Sequence, residues 1–140
     1  MNIENEKCVI VLDEQLPAGA AANTAAILGV TLGTKMPDVV GEDVFDGAGR
    51  AHAGIIQFPI PILKGSSDML SALREKLYGP EFSGLTVVDF SSLAQGCKIY
   101  GEFVGKMEQC PVEKLRYIGL ALCGDKKKIN RLTGNLPLLR

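Results

Sequence analysis

The chain has 140 residues, 46% of them hydrophobic but only 6% aromatic, with no Trp and a formal net charge of −1. That length and apolar content exclude a disordered chain and predict a single domain spanning residues 1–140 with an aliphatic core. No apolar run reaches the roughly 18–20 residues of a membrane span. The acidic start at residues 1–6 lacks the basic-then-apolar pattern of a secretory signal, so a cytoplasmic location with no membrane partner is expected.

Residues 7–12 form a short continuous apolar run, as in a strand covered on both faces. Asp13, Glu14 and Gln15 end it, Pro17 and Gly19 break the chain, and Ala20, Ala21 and Ala22 start a helix. Ala21, Ala25, Leu28 and Leu32 share one helical face. Ala22, Ala26, Gly29 and Gly33 form a second face, small enough for close packing on a sheet, with Gly33 ending the helix. Val39-Val40 and Val44-Phe45 are candidate short strands, followed by a turn signal at residues 46–49. Ile56, Phe58, Ile60 and Ile62 then alternate onto one face, and Pro59 and Pro61 make residues 54–63 an edge strand.

Ser66 or Ser67 caps a helix with the stripe Met69, Leu70, Leu73 and Leu77, stopped by Gly79-Pro80. Residues 85–90 read as another central strand. Ser91-Ser92 cap one long helix, along which Leu93, Cys97, Tyr100, Val104 and Met107 repeat with the helical period until Pro111. Residues 117–123 are a last buried strand, and Asp125 caps a short helix closed by Thr133-Gly134. Strands alternating with helices predict an α/β fold with a mixed, mostly parallel sheet.

Two acids stand at strand ends, Asp13 and Asp89. If those strands are parallel neighbours, both carboxylates face one crevice and divide acid and base roles; the alternative is that each ties down its own turn. The amides after Gly19 could hold an anion, or simply open an ordinary strand-to-helix turn. Asn23 and Thr24 line a site at the helix start or bond backbone locally. No P-loop and no G-x-G-x-x-G follows a strand. Cys8, Cys97, Cys110 and Cys123 lack C-x-x-C spacing and His52 is the only histidine, so neither a metal nor a cofactor is expected and the thiols read as buried and reduced. His52 itself reads as a solvated loop residue. Residues 1–97 carry 6 Lys/Arg against 12 Asp/Glu, net −6, whereas residues 98–140 carry 9 against 4, net +5. Lys126, Lys127 and Lys128 are either a solvated helix face or a phosphate contact.

Residues 9–13, the Leu16-Pro17-Ala18-Gly19 turn, the helix start at 21–26, Val88-Asp89-Phe90 with Leu93-Ala94-Gln95, and the ending at 132–139 together resemble the bacterial domain-of-unknown-function family two thousand. That family is similar in fold to type II peptidyl-tRNA hydrolases, which implies a three-layer α/β domain whose mixed four-stranded sheet is flanked by helices. Those hydrolases open their first helix Gly-Lys-x-Ala-Ala, where this chain has Gly19-Ala20-Ala21-Ala22, and end in a Thr-Gly-His-Leu-like motif, here Thr133-Gly134-Asn135-Leu136. Ala20 replaces the lysine, and residues 89–92 are at best a loose counterpart of their Asp-Ala-Gly-Arg-Thr segment. Losing the cation removes a stabiliser of developing negative charge.

The expected function is therefore binding of a small molecule or a protein on that fold, without the hydrolase activity. The alternative is hydrolysis of a small ester or amide, or residual peptidyl-tRNA hydrolysis, with Asp89 catalytic, amides near Gly19 and Ala20 as oxyanion donors and Asn23 orienting the substrate. Asp13, Ser91 and Ser92 complete the candidate ligand contacts. RNA binding through the basic C-terminal third is a weaker reading, disfavoured by the acidic remainder of the chain. Gly96, Gly101 and Gly105 would let another element approach closely, either within the chain or from a second copy in a homodimer.

Overall fold

The computed structural model describes residues 3–140. Met1 and Asn2, the start of the acidic N-terminal stretch, lie outside the described residues. Strand β1 is Glu6–Asp13 and helix α1 is Ala18–Lys35; a two-stranded hairpin follows, β2 at Val44–Phe45 and β3 at Ala51–His52. Strand β4 is Ile62–Gly65, helix α2 Ser67–Leu77 and strand β5 Thr86–Ser91. Helices α3, Ser92–Gln95, and α4, Tyr100–Gln109, precede strand β6, Tyr117–Asp125, and helix α5, Lys126–Thr133. The main sheet has the order β4-β1-β6-β5.

Three of these strands run one way and β6 runs the other. Only the β1–β4 pairing is parallel; β1–β6 and β5–β6 are antiparallel. The sheet is thus mixed, as expected, but not dominated by parallel pairing. The apolar runs could not distinguish the two, because helices cover both faces and a strand buried on both sides is apolar in either direction.

Alternation along β1 sends Cys8, Ile10 and Leu12 to one core with Leu28 and Leu32 of α1, and Val9 and Val11 to another with Leu70, Leu73 and Leu77 of α2 and Ile129 of α5. The sheet is thereby sandwiched between helical layers. Cys8 lies opposite Cys123, both fully buried. A hydrogen bond between the thiols, together with burial, pushes the Cys8 thiol far above its usual range, so it stays protonated. Cys97 and Cys110 are free and only half-buried, short of the burial expected for them.

Helix α1 begins after Pro17 with no side-chain cap and runs two residues past Gly33. Its Thr24, fully buried, returns its hydroxyl to the Ala20 carbonyl at 2.8 Å. The close approach to the sheet comes from the glycine on β6 and not from the expected small face of α1, whose Ala22 and Ala26 are exposed and whose Gly29 and Gly33 have open space at the Cβ position. A Cβ on Gly119 of β6 would fall 2.6 Å from Thr24 Cγ2 and 3.0 Å from Leu28 Cδ1. The caps on the opposite layer match expectation: Ser66 Oγ accepts from the Met69 amide and Asp125 Oδ2 from the Lys128 amide.

Three elements depart from the sequence reading. Residues 54–63 do not form one strand. Ile56 makes an isolated bridge to Val40, and regular pairing starts only at Ile62, beyond the two prolines that lack the needed donors. The result is still an edge strand, with Ile56, Phe58, Ile60 and Ile62 packed on the α1-side core. Val39 closes a short 3₁₀ turn at Pro37–Val39 rather than a strand. Finally, the long helix expected from Leu93 to Met107 is two helices. Gly96 terminates α3, its amide shared between the Ser92 and Leu93 carbonyls, and the chain restarts at Tyr100.

Candidate functional site

That break shapes a groove beside β5. Residues 97–99 swing out between α3 and α4 and leave an opening of about 420 Å³. Its walls are Ile27 and Thr31 of α1, Val88 to Ser91 of β5, Ala94 of α3, and Tyr100 and Phe103 of α4, with Lys98 and Ile99 at the turn. Ile99 and Tyr100 are 70% and 77% exposed. Lys98 makes no hydrogen bond or ion pair among the described residues. Ser91 is buried and spends its hydroxyl on the Ala94 amide, which starts α3 at the groove floor.

The predicted carboxylates take other positions. Strands β1 and β5 run the same way but β6 lies between them, so Asp13 and Asp89 are not on neighbouring strands. Asp13 is 1% exposed; its Oδ1 accepts from the Gln15 amide at 2.9 Å and its Oδ2 from Arg116 Nη2 at 3.0 Å. Asp89 Oδ2 accepts from Arg74 Nε of α2 at 2.8 Å, and the same guanidinium lies 3.9 Å over the Tyr78 ring. Both carboxylates therefore project to the α2 side, whereas α1 with Gly19, Ala20 and Asn23 covers the other. Asp89 and Ser91 border the groove; Asp13, Gly19, Ala20, Asn23 and Ser92 are not among its lining. Gly19, Asn23 and Ser92 are exposed, and the Ser92 amide bonds the Arg116 carbonyl. The start of α1 instead borders a second opening of about 590 Å³, lined by Leu12, Leu16, Ala21, Ala22, Ile62 and Leu139 among others.

Among the described residues, Arg74, Arg116 and Lys98 are the side chains that sequence reasoning did not assign. The arginines join their acids across many intervening residues, and no local spacing reports such a pair. Lys98 carried a local signal, since a glycine at position 96 inside a helical stripe marks a candidate helix end.

Burial raises the Tyr117 phenol above its ordinary value of 10.0, the Asp89 carboxylate adds to this, and Arg74 opposes it. A raised value means that the folded chain holds this proton more tightly than the unfolded one. The corresponding share of stability is present below about pH 10 and is lost as pH rises through the folded value. Ultraviolet titration of Asp89→Asn should show tyrosine ionisation moving to lower pH than in the parent, and an unchanged curve would contradict the proximity of Asp89 to Tyr117.

Two other polar candidates, His52 and Lys128, have structural partners. His52 Nε2 meets Asp46 Oδ2 at 2.8 Å in the exposed β2–β3 hairpin, and that bond lowers the Asp46 carboxyl below its usual range. Lys128 Nζ donates to the Glu81 carbonyl at 2.8 Å, while Lys126 and Lys127 are exposed. No helix among the described residues is long and apolar enough to cross a membrane. Among the described residues, nothing lies within 4 Å of where a Cβ on Gly101 or Gly105 would be, so no contact among them accounts for these glycines.

The family profile described as "Protein of unknown function (DUF2000)" matches residues 6–140. The chain belongs to the DUF2000 family. A solved structure described as that of a protein of unknown function, Atu0240 from Agrobacterium tumefaciens strain C58, matches this DUF2000 chain with a TM-score of 0.85. The match covers 96% of this chain and 97% of that one, at 17% identity, and so speaks for a shared fold alone. No curated protein matches this DUF2000 chain.

Proposed function

We propose that this chain is a binding module, whose ligand lies in the groove between α1 and the α3–α4 break and has an apolar body and an anionic group. The observation that carries this reading is the lining itself. Ile27, Val88, Phe90 and Phe103 make apolar walls around Lys98, a cation unpaired among the described residues, while Ile99 and Tyr100 stay in water beside them. Small-molecule sites have this composition, a largely apolar concavity with a few polar groups that fix orientation.

The same reading keeps the peptidyl-tRNA-hydrolase-like fold without its activity. Ala20 brings no cation to the first turn of α1, and Asp89 is engaged by Arg74. Hydrolysis by Asp89 with the amides near Gly19 and with Asn23 draws less support, since these groups sit on opposite sides of the sheet.

The test uses anilinonaphthalene sulfonate, an aromatic body bearing one anion. Its fluorescence should rise saturably with one site per chain. Ile27→Asp, at a position more than a third exposed, should weaken binding about tenfold or more, equivalent to about 1.4 kcal/mol, and leave the circular dichroism spectrum unchanged. Equal binding by that variant would remove the groove from the account, and efficient cleavage of peptidyl-tRNA by the purified chain would refute the loss of hydrolase activity.

A further inference from the structure

We infer that the groove's ligand is an extended peptide segment of a partner protein, added as a strand along the open edge of β5 with an acidic side chain at Lys98. This rests on the groove reading above and narrows it to one chemical class. The first observation is geometric. Val88, Asp89, Phe90 and Ser91 are consecutive, and all four line the groove. Alternate side chains of a strand point to opposite faces, so an opening that touches four in succession runs along the strand's backbone at its edge.

That edge is unpaired. β5 bonds only β6, and among the described residues its outward amides and carbonyls have no protein partner. The opposite edge of the same sheet is closed by the chain itself. The Lys64 amide donates to the Pro137 carbonyl, the Leu139 amide donates to the Ile62 carbonyl, and Leu63 bridges Leu138 in antiparallel fashion. An extended segment is thus already seated beside β4, and the equivalent place beside β5 is vacant. Free edges are commonly blunted by lysine or proline. Residues 86–91 contain neither, and their one charge, Asp89, is turned away to Arg74. A backbone irregularity between Phe90 and Ser91 limits regular pairing to the stretch before it.

Charge selects the occupant. With Asp89 neutralised by Arg74, Lys98 is the groove charge left uncompensated among the described residues and calls for an acid on the incoming strand. A second copy of β5 would bring only its own Asp89, which is held on the α2 side and does not reach Lys98. A compact small molecule would fill the apolar walls and leave the row of backbone groups unused. Strand addition uses both, with main-chain bonds for affinity and alternate side chains for selection.

The experiment pans the full-length protein against displayed random dodecapeptides and follows amide exchange by NMR with an enriched peptide made synthetically. Enriched sequences should alternate apolar residues and include an acid, and Lys98→Glu should shift that preference to a base. Alternate amides of β5 should exchange more slowly in the complex. N-methylation of every second peptide amide should weaken binding by about tenfold or more, as loss of main-chain bonds requires. Sulfonate-probe binding without any enriched peptide, or an enriched peptide that tolerates N-methylation and leaves β5 exchange unchanged, would overturn strand addition while the groove reading stands. Failure of both probe and peptide would overturn both. Concentration-dependent protection of β5 without peptide, with a doubled mass in sedimentation, would replace the peptide by a second copy.

Discussion

Gly119→Val is expected to destabilise the chain by about 3 kcal/mol, at the upper end of what overpacking a filled core costs. Gly119 sits in β6 beneath α1, and a Cβ there would meet Thr24, Leu28 and Leu12 side chains at 2.6, 3.0 and 3.1 Å. None of these can yield easily. Leu28 and Leu12 are fully buried in the α1-side core, and Thr24 is tied by its hydroxyl to the Ala20 carbonyl. Relief would require α1 to lift from the sheet, which exposes Leu28 and Leu32 together. The loss should lower the melting temperature by about 10 °C at this chain length and shift the urea midpoint accordingly.

Gly105→Ala is the matched control. Gly105 lies within α4 and has nothing within 4 Å of its Cβ position. There the substitution should stabilise by roughly 0.5–1 kcal/mol through the glycine's lost backbone freedom. Two glycine replacements of opposite sign would tie the Gly119 effect to the helix–sheet contact. Equal stability of Gly119→Val and the parent would show that α1 does not pack as described.

Much of the framework was legible because it is written in local patterns. The two central strands announced themselves as apolar runs, and the caps at Ser66, Ser91 and Asp125 as polar residues before helical stripes. The alanine and glycine face of α1 was misread as the sheet contact: Ala22 and Ala26 are exposed, and Thr24 and Leu28 make the close approach over Gly119, which carried no local mark. Strand order was not legible. That β6 inserts between β1 and β5 depends on which buried surfaces fit together, and apolar runs are silent on direction. The α3–α4 break was misread for a different reason. The stripe Leu93, Cys97, Tyr100, Val104 and Met107 has the helical period, but Gly96 lies inside it and ends the first helix. Tyr100 and Val104 are accordingly exposed, and Phe103 takes the inward place.

The groove was legible only in part, and through the wrong side chains. Asp89 and Ser91 border it, yet the carboxylate of Asp89 belongs to the far side of the sheet, and Lys98, a cation unpaired among the described residues, lies in a segment read as continuous helix. Periodicity locates faces. It does not report where a face is interrupted, and this groove exists because of an interruption.

The ion pair that holds Asp89 supplies the other large expected effect. Arg74 and Asp89 side chains are 12% and 24% exposed, so neither is well solvated. Asp89→Leu strands the guanidinium between α2 and β5, and Arg74→Met strands the carboxylate. Breaking one partner of a buried pair costs about 3–5 kcal/mol, and the residual exposure of Asp89 places both variants near 3 kcal/mol or slightly below. The double variant Arg74→Met/Asp89→Leu leaves no orphaned charge and should fall within about 1 kcal/mol of the parent, because a well-packed apolar pair replaces a buried ion pair at little cost. Urea unfolding of all four proteins measures the coupling directly. Strict additivity of the single losses would show that Arg74 and Asp89 do not act as a pair. The cycle also bears on chemistry. A double variant that folds as stably as the parent and still binds the sulfonate probe assigns Asp89 to the architecture behind the groove. Loss of probe binding in that stable protein would instead give the carboxylate a direct part in holding the ligand.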